Sequence, residues 1–183
     1  MLIRNEILRL KSLHSPKGRK AENTVLIEGL RLVEACLESR WPAKQFFILK
    51  SNLVKPQYES TINLAYSLGI QPIEISKKDM DRISNTKTPQ GIALEIKLPE
   101  KLDEIAIADK IVYLDNISDP GNLGTIMRTA VWFGAEQILL SENCASVWNP
   151  KVVRAGMGAH FKIDCQIFNL DELLTDVEIP HQI

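Results

Sequence analysis

Two side chains near the middle of this 183-residue sequence have the type and spacing to act on a ligand, Asn122 and Arg128. They lie in N-I-S-D-P-G-N-L-G-T-I-M-R-T-A-V-W-F-G, residues 116–134. A guanidinium stays protonated in proteins and presents a planar fork of donors, so Arg128 is suited to holding an anion or a developing negative charge. An amide such as Asn122 can orient what the arginine holds. Taking about 100° per residue, Leu123, Ile126, Ala130 and Phe133 fall within about 40° of the point opposite Arg128. The spacing therefore predicts an inward apolar face and an outward Arg128, with Gly124 leaving the surface one turn earlier uncovered. Helix geometry alone leaves two readings open: a solvated surface arginine, or a cation over a glycine-floored cleft beside Asn122.

The flanking residues say what must position this pair. Lys110-Ile111-Val112-Tyr113-Leu114 reads as a buried strand, and Asp119-Pro120-Gly121 as turn chemistry. Asn122 is the predicted N-cap of a helix beginning near Leu123, and Gly134 its stop. Asp119 is expected to bond the loop backbone rather than a substrate. Strand, polar loop and helix is the arrangement by which α/β domains present ligand-binding groups at the carboxyl end of a strand.

The pattern N-x-x-D-P-x-N-x-G-x-I-x-R-T-A-x-x-F-G resembles the first signature of the SpoU-type (TrmH-like) RNA ribose 2′-O-methyltransferases. Asn116, Asp119, Pro120, Asn122, Gly124, Ile126, Arg128, Thr129, Ala130, Phe133 and Gly134 all stand at its fixed positions. A second family-like segment runs from Asn149-Pro150 through Arg154 to Gly158-Ala159. The resemblance implies transfer of a methyl group from S-adenosylmethionine to a ribose 2′-hydroxyl of rRNA or tRNA, with Arg128 and Asn122 catalytic. Arg128 would hold the adjacent phosphate and stabilise the developing alkoxide, and Asn122 would orient the ribose or the arginine. It also implies a knotted cofactor pocket built from two further signatures, a glycine-rich loop with a glutamate and a serine-leucine-asparagine segment. Neither is found in this sequence, so the expectation is a C-terminally incomplete domain without its knot-forming part, its cofactor-binding residues expected beyond Ile183. Homodimers are implied for the complete protein, weak or altered here.

The composition fits a globular chain, with 45% hydrophobic and 25% charged residues. No apolar run reaches the roughly 18 residues of a membrane helix and no signal peptide opens the chain, so no membrane partner and a cytoplasmic location are expected. Cys36, Cys144 and Cys165 have no disulfide or metal spacing and read as buried free thiols, and no metal site is expected. Net charge is −1, but residues 1–20 carry Arg4, Arg9, Lys11, Lys17, Arg19 and Lys20 against Glu6 alone. Such a basic front either meets phosphates or is a solvated face.

Residues 2–13 have helical spacing, and Ser15–Lys20 reads as a basic loop. Strands are predicted at 24–27, 46–49, 73–75 and 91–96, with helices from Gly29, over 56–68 and over 77–84. Thr88-Pro89-Gln90-Gly91 reads as a turn. With Glu28-Gly29-Leu30-Arg31 it resembles the small N-terminal substrate-binding domain of the same methyltransferases. Glu28 either serves that motif or caps the following helix. Arg19, Lys20, Arg31 and Arg154 are the candidate RNA contacts. The predicted organisation is an α/β RNA substrate-binding domain over 1–97, a linker over 98–105 and a partial methyltransferase domain over 106–183. The latter would have strands at 111–114, 137–140 and 161–165, helices over 123–133 and from Asn149, and a further helix from 170–174. Two other readings stand beside the enzyme: a non-catalytic RNA-binding module, and a small-nucleotide-binding protein, for which the usual phosphate loops are missing.

Overall fold

The computed structural model of the chain describes residues 2–100 and 107–171. Its first half comprises α1 (Arg4–Ser12), α2 (Pro16–Glu22), β1 (Thr24–Glu28), α3 (Leu30–Glu38), β2 (Ala43–Leu49), α4 (Pro56–Ser67), β3 (Pro72–Ile75), α5 (Lys77–Ile83) and β4 (Ile92–Lys97). The strands form one mixed sheet in the order β1-β4-β2-β3, in which only β2 and β3 are parallel. Alternation along the strands sends side chains to two cores. Val25, Ile27, Phe46, Ile48 and Ile96 pack with Val33, Cys36, Leu37, Ile62 and Ala65 of α3 and α4. Leu26, Phe47 and Ala93 pack with Ile7, Leu10, Met80 and Ile83 of α1 and α5. Cys36 is a buried free thiol, its pKa pushed up to about 12 by burial, whereas Cys144 and Cys165 are only half-buried.

Two of the six basic residues of the N-terminal segment, Arg9 and Arg19, face inward. Ser15–Lys20 is no loop: Ser15 caps α2 by accepting from the Gly18 amide at 3.0 Å, with Pro16 in the first turn. Arg19 is 4% exposed and donates to the carbonyls of Leu13 and His14, both at 3.1 Å. That guanidinium ties a turn together and is not offered to phosphate, contrary to its place among the RNA contacts. Arg9 forks onto the buried Glu95 carboxylate with two 2.7 Å bonds and also reaches Glu6 and Glu22. Burial works against the charge on Glu95, but the bonds from Arg9 and Thr24 outweigh it and hold its carboxyl below the usual range. Arg4, Lys11, Lys17 and Lys20 remain exposed.

The second half has β5 (Ile111–Leu114), α6 (Pro120–Trp132), β6 (Gln137–Leu140), α7 (Pro150–Gly156) and β7 (Asp164–Ile167), with a parallel sheet ordered β5-β6-β7. The last strand starts later than its apolar run suggests, because a 3-10 turn over Ala159–Phe161 follows the left-handed Gly158. Residues 101–105 of the linker expected over 98–105 and most of the helix expected from 170–174 lie outside the described residues; 170 and 171 themselves are helical. Among the described residues, no helix is long and apolar enough to cross a membrane. The two halves meet through aromatic rings. Trp41 lies 5.8 Å from Trp148 and 5.5 Å from Phe161, and Val153 of α7 joins the core of the first sheet.

Glu95→Gln should lower unfolding stability by roughly 3 kcal/mol, since it leaves Arg9 without its buried partner. In the parent protein the carboxylate's depressed pKa means its contribution is present above the ordinary carboxylate range, about 4.3. It is lost as pH falls through the still lower folded value. Denaturant titrations across pH check both points: the variant's stability should fall less steeply than the parent's at acid pH.

Candidate functional site

Asp119, not Asn122, is the N-cap of α6: its Oδ1 accepts the Asn122 amide at 2.8 Å, and Pro120 takes the first helical position. Asn122 thereby sits in the first turn, exposed, its side chain free of any protein partner among the described residues. At the far end Gly134 takes φ +75°, the Gly134 amide reaches Val131 O, and the Ala135 amide reaches Ala130 O. This is a Schellman close of the helix. Asn116 occupies the left-handed region at φ +55° and donates its amide to Ser141 Oγ.

Gly124 is not the floor of a cleft. A Cβ there would lie 2.5 Å from Ala155 Cβ and 2.6 Å from Val152 O, so the missing side chain is what lets α7 cross α6. Gly156 stands on the other side of this crossing, where a Cβ would lie 2.8 Å from His160 Cε1. His160 is 3% exposed, and burial holds its pKa down to about 4, so it packs as a neutral ring. The buried face of α6 is Leu123, Gly124, Met127 and Ala130, with Ile126 half-buried. Phe133 is 81% exposed because it lies at the C-cap, where the 100° period ends.

Arg128 emerges beside this crossing, exposed, and no carboxylate among the described residues lies within ion-pair distance. Its Nη1 contacts Met157 Sδ at 3.7 Å. The six-residue spacing puts Asn122 about 9 Å along the axis and about 120° around from Arg128, so the two flank a ligand rather than grip one atom.

Met157 leads into a groove of about 540 Å³ between the two halves, lined by Arg31, Gln57, Gln90, Arg154 and Met157. Of the two readings left open for Glu28, the structure does not show the cap of the following helix. Its carboxylate accepts from Ser84 Oγ and from the Asn85 amide at 2.8 Å, pinning the loop that leads to Gln90. Gln90 itself caps α3, its Oε1 accepting the Leu30 amide at 2.8 Å. Tyr58 Oη and Asn52 Nδ2 hold the Gln90 carbonyl from below. The fold thus brings Arg31, Arg154 and, through Met157, Arg128 toward one seam. Lys20 is exposed but lies outside the groove, as does the buried Arg19. Gln90 and Met157 lie in the two shorter family-like segments, at 88–91 and 149–159, but neither residue type marked it as part of the site.

The described ends of β5 and β6 use their loop donors on one another. The Asn116 amide goes to Ser141 Oγ, the Ile117 amide to Cys144 Sγ and the Ala145 amide to Ile117 O. These residues do not by themselves fit a nucleoside cofactor such as S-adenosylmethionine.

Residues 109–182 match the SpoU rRNA Methylase family, and residues 4–94 match the MRM3-like substrate binding domain. This chain belongs to the SpoU/TrmH family of rRNA 2′-O-methyltransferases. The 23S rRNA (guanosine(2553)-2′-O)-methyltransferase RlmP of Bacillus subtilis is 37% identical over 92% of this chain and 64% of its own length. The human mitochondrial rRNA methyltransferase 3 is 32% identical over 79% of this chain and 35% of its own length. Among solved structures, a putative TrmH-family RNA methyltransferase from Porphyromonas gingivalis superposes with TM-score 0.79 at 30% identity, covering 96% of this chain and 67% of that one. An AdoMet-bound rRNA methyltransferase from Sinorhizobium meliloti does so with TM-score 0.78 at 27% identity, covering 96% and 66%. This SpoU-family chain therefore spans about two thirds of those solved structures and 64% of the Bacillus relative.

Gly124→Ala should cost roughly 1–3 kcal/mol, because the added methyl meets backbone and Cβ atoms of α7 that cannot turn aside. A drop in melting temperature checks it; an unchanged midpoint would show that the crossing can widen freely.

Proposed function

We propose that this chain recognises rRNA and presents a ribose 2′-hydroxyl for methylation, as part of an S-adenosylmethionine-dependent RNA 2′-O-methyltransferase. One observation carries the reading. Most signature residues are occupied with holding the fold, since Asn116 turns the loop, Asp119 caps, Pro120 starts the helix, Gly124 admits α7, Ala130 packs and Gly134 closes. Among the polar members Thr129 bonds Thr125 O and Asn116 serves the turn through its backbone, while Arg128 and Asn122, both on the exposed side of α6, have side chains without such a role. An always-charged fork left exposed and unneutralised suits a phosphate and the alkoxide that develops beside it. Asn122 would orient the ribose from the first turn of the same helix. Arg31 and Arg154 would take RNA phosphates in the seam, with Lys20 an outlying contact. The 2′-hydroxyl is also the group that marks the ligand as RNA.

Residues 106–183 are read as the front of a knotted methyltransferase domain, with the cofactor residues beyond Ile183. The parallel β5-β6-β7 order and the partial coverage of the solved structures support this. On that reading these 183 residues bind RNA but do not transfer methyl groups by themselves. A homodimer is proposed for the complete protein. Trp132 and Phe133, 85% and 81% exposed, are apolar surface that such a dimer could cover.

The competing reading, a non-catalytic RNA-binding module, is favoured by the self-satisfied strand ends. In a protein carrying this segment with a complete cofactor site, Arg128→Ala should lower kcat by about 10²–10³. RNA affinity should change by less than about threefold, since phosphate contacts elsewhere remain. Single-turnover methyl transfer with filter binding checks both, and near-normal turnover would remove Arg128 from the mechanism. Calorimetry of the 183-residue chain with S-adenosylmethionine should give no binding; stoichiometric binding would end the module reading.

A further inference from the structure

Met157 combines three properties that packing does not explain. It is a non-glycine residue in the left-handed region, φ +46° and ψ +42°, at the end of α7. Such a conformation costs roughly 1–3 kcal/mol and is natural for glycine. It is 50% exposed, although Met80 and Met127 are buried at 1% and 0%. Its sulfur lies 3.7 Å from Arg128 Nη1, while its side chain also lines the groove that carries Arg31 and Arg154. A strained, half-exposed methionine thus stands where the exposed arginine and the seam between the halves come together.

We propose that Met157 is a positioning residue for Arg128, aiming the guanidinium at the mouth of the groove so that an RNA strand entering there meets it already oriented. This deepens the RNA reading and rests on it. The chemistry of sulfur suits that role. A thioether is a weak acceptor, so it biases the arginine without neutralising it. A phosphate oxygen, forming a charge-assisted bond about twice as strong as a neutral one, displaces the sulfur readily. A carboxylate in the same place would compete with the RNA for the fork. The left-handed backbone is what turns the side chain at the end of α7 back toward α6. The strand running between Arg31 and Arg154 then bears on the same methionine that steadies Arg128.

The test uses the 183-residue chain labelled with [methyl-¹³C]methionine and a short single-stranded RNA, with binding followed by fluorescence anisotropy in the same samples. Arg128→Ala should shift the Met157 methyl resonance in the free chain, and so should Arg128→Lys, which keeps the charge but not the fork. RNA should shift it in the parent chain while the Met80 and Met127 methyls stay in place. Met157→Leu keeps the bulk and loses the acceptor. It should leave the melting temperature within about 2 °C yet move the Arg128 Nε–Hε resonance. If RNA binds with the Met157 methyl unmoved, or the Arg128 variants leave it unmoved, the positioning role falls and the RNA reading stands. If no RNA binds, the RNA reading falls and this inference falls with it.

Discussion

Helix α7 is packed on two sides at once, and the rest of the site follows from that constraint. On one side it crosses α6 at Gly124, close enough that a single methyl would overlap backbone. On the other, Val153 joins the core of the first sheet, and Gly158 comes so near α3 that a Cβ would lie 2.9 Å from Ala35 Cβ. Interiors are packed at crystal-like density, so a helix wedged this way has little freedom to slide. Arg154, Met157 and the neighbouring Arg128 are therefore held in register with Arg31 of the other half.

The aromatic contacts of Trp41 with Trp148 and Phe161 extend the same joint. Large rings bury much apolar area and prefer tilted arrangements such as these. A ligand lying along the seam would touch both halves together.

Charge is divided unevenly among the arginines. Arg9 and Arg19 are taken up inside the first half, one by carboxylates and one by carbonyl groups. Arg31 and Arg128 are exposed, and neither they nor the half-buried Arg154 has a carboxylate partner among the described residues. Linear charge density marked the N-terminal segment, where Arg4, Lys11, Lys17 and Lys20 stay exposed, whereas the arginines that converge near the seam come from three separate helices. Glu95 shows why Arg9 is taken up: β4 brings its carboxylate beneath α1 from 86 residues away, and a buried carboxylate demands a partner.

Local chemistry settled much of this molecule in advance. Turn residues, caps and apolar periodicity marked nearly every strand and helix, and the spacing from Asn116 to Gly134 carried the family, because those features act over a few residues. The division of roles within the signature was a different matter. Asp119 rather than Asn122 caps α6, and Gly124 admits α7 rather than flooring a cleft, since a cap or a helix crossing depends on backbone directions that letters do not contain. Ser15–Lys20 folded into α2, with Arg19 turned inward, and Glu28 reached for the loop at Ser84. Only the tertiary structure could bring Arg31 of the first half to one seam with Arg154, Met157 and Arg128 of the second, because residues about a hundred positions apart are brought together by packing.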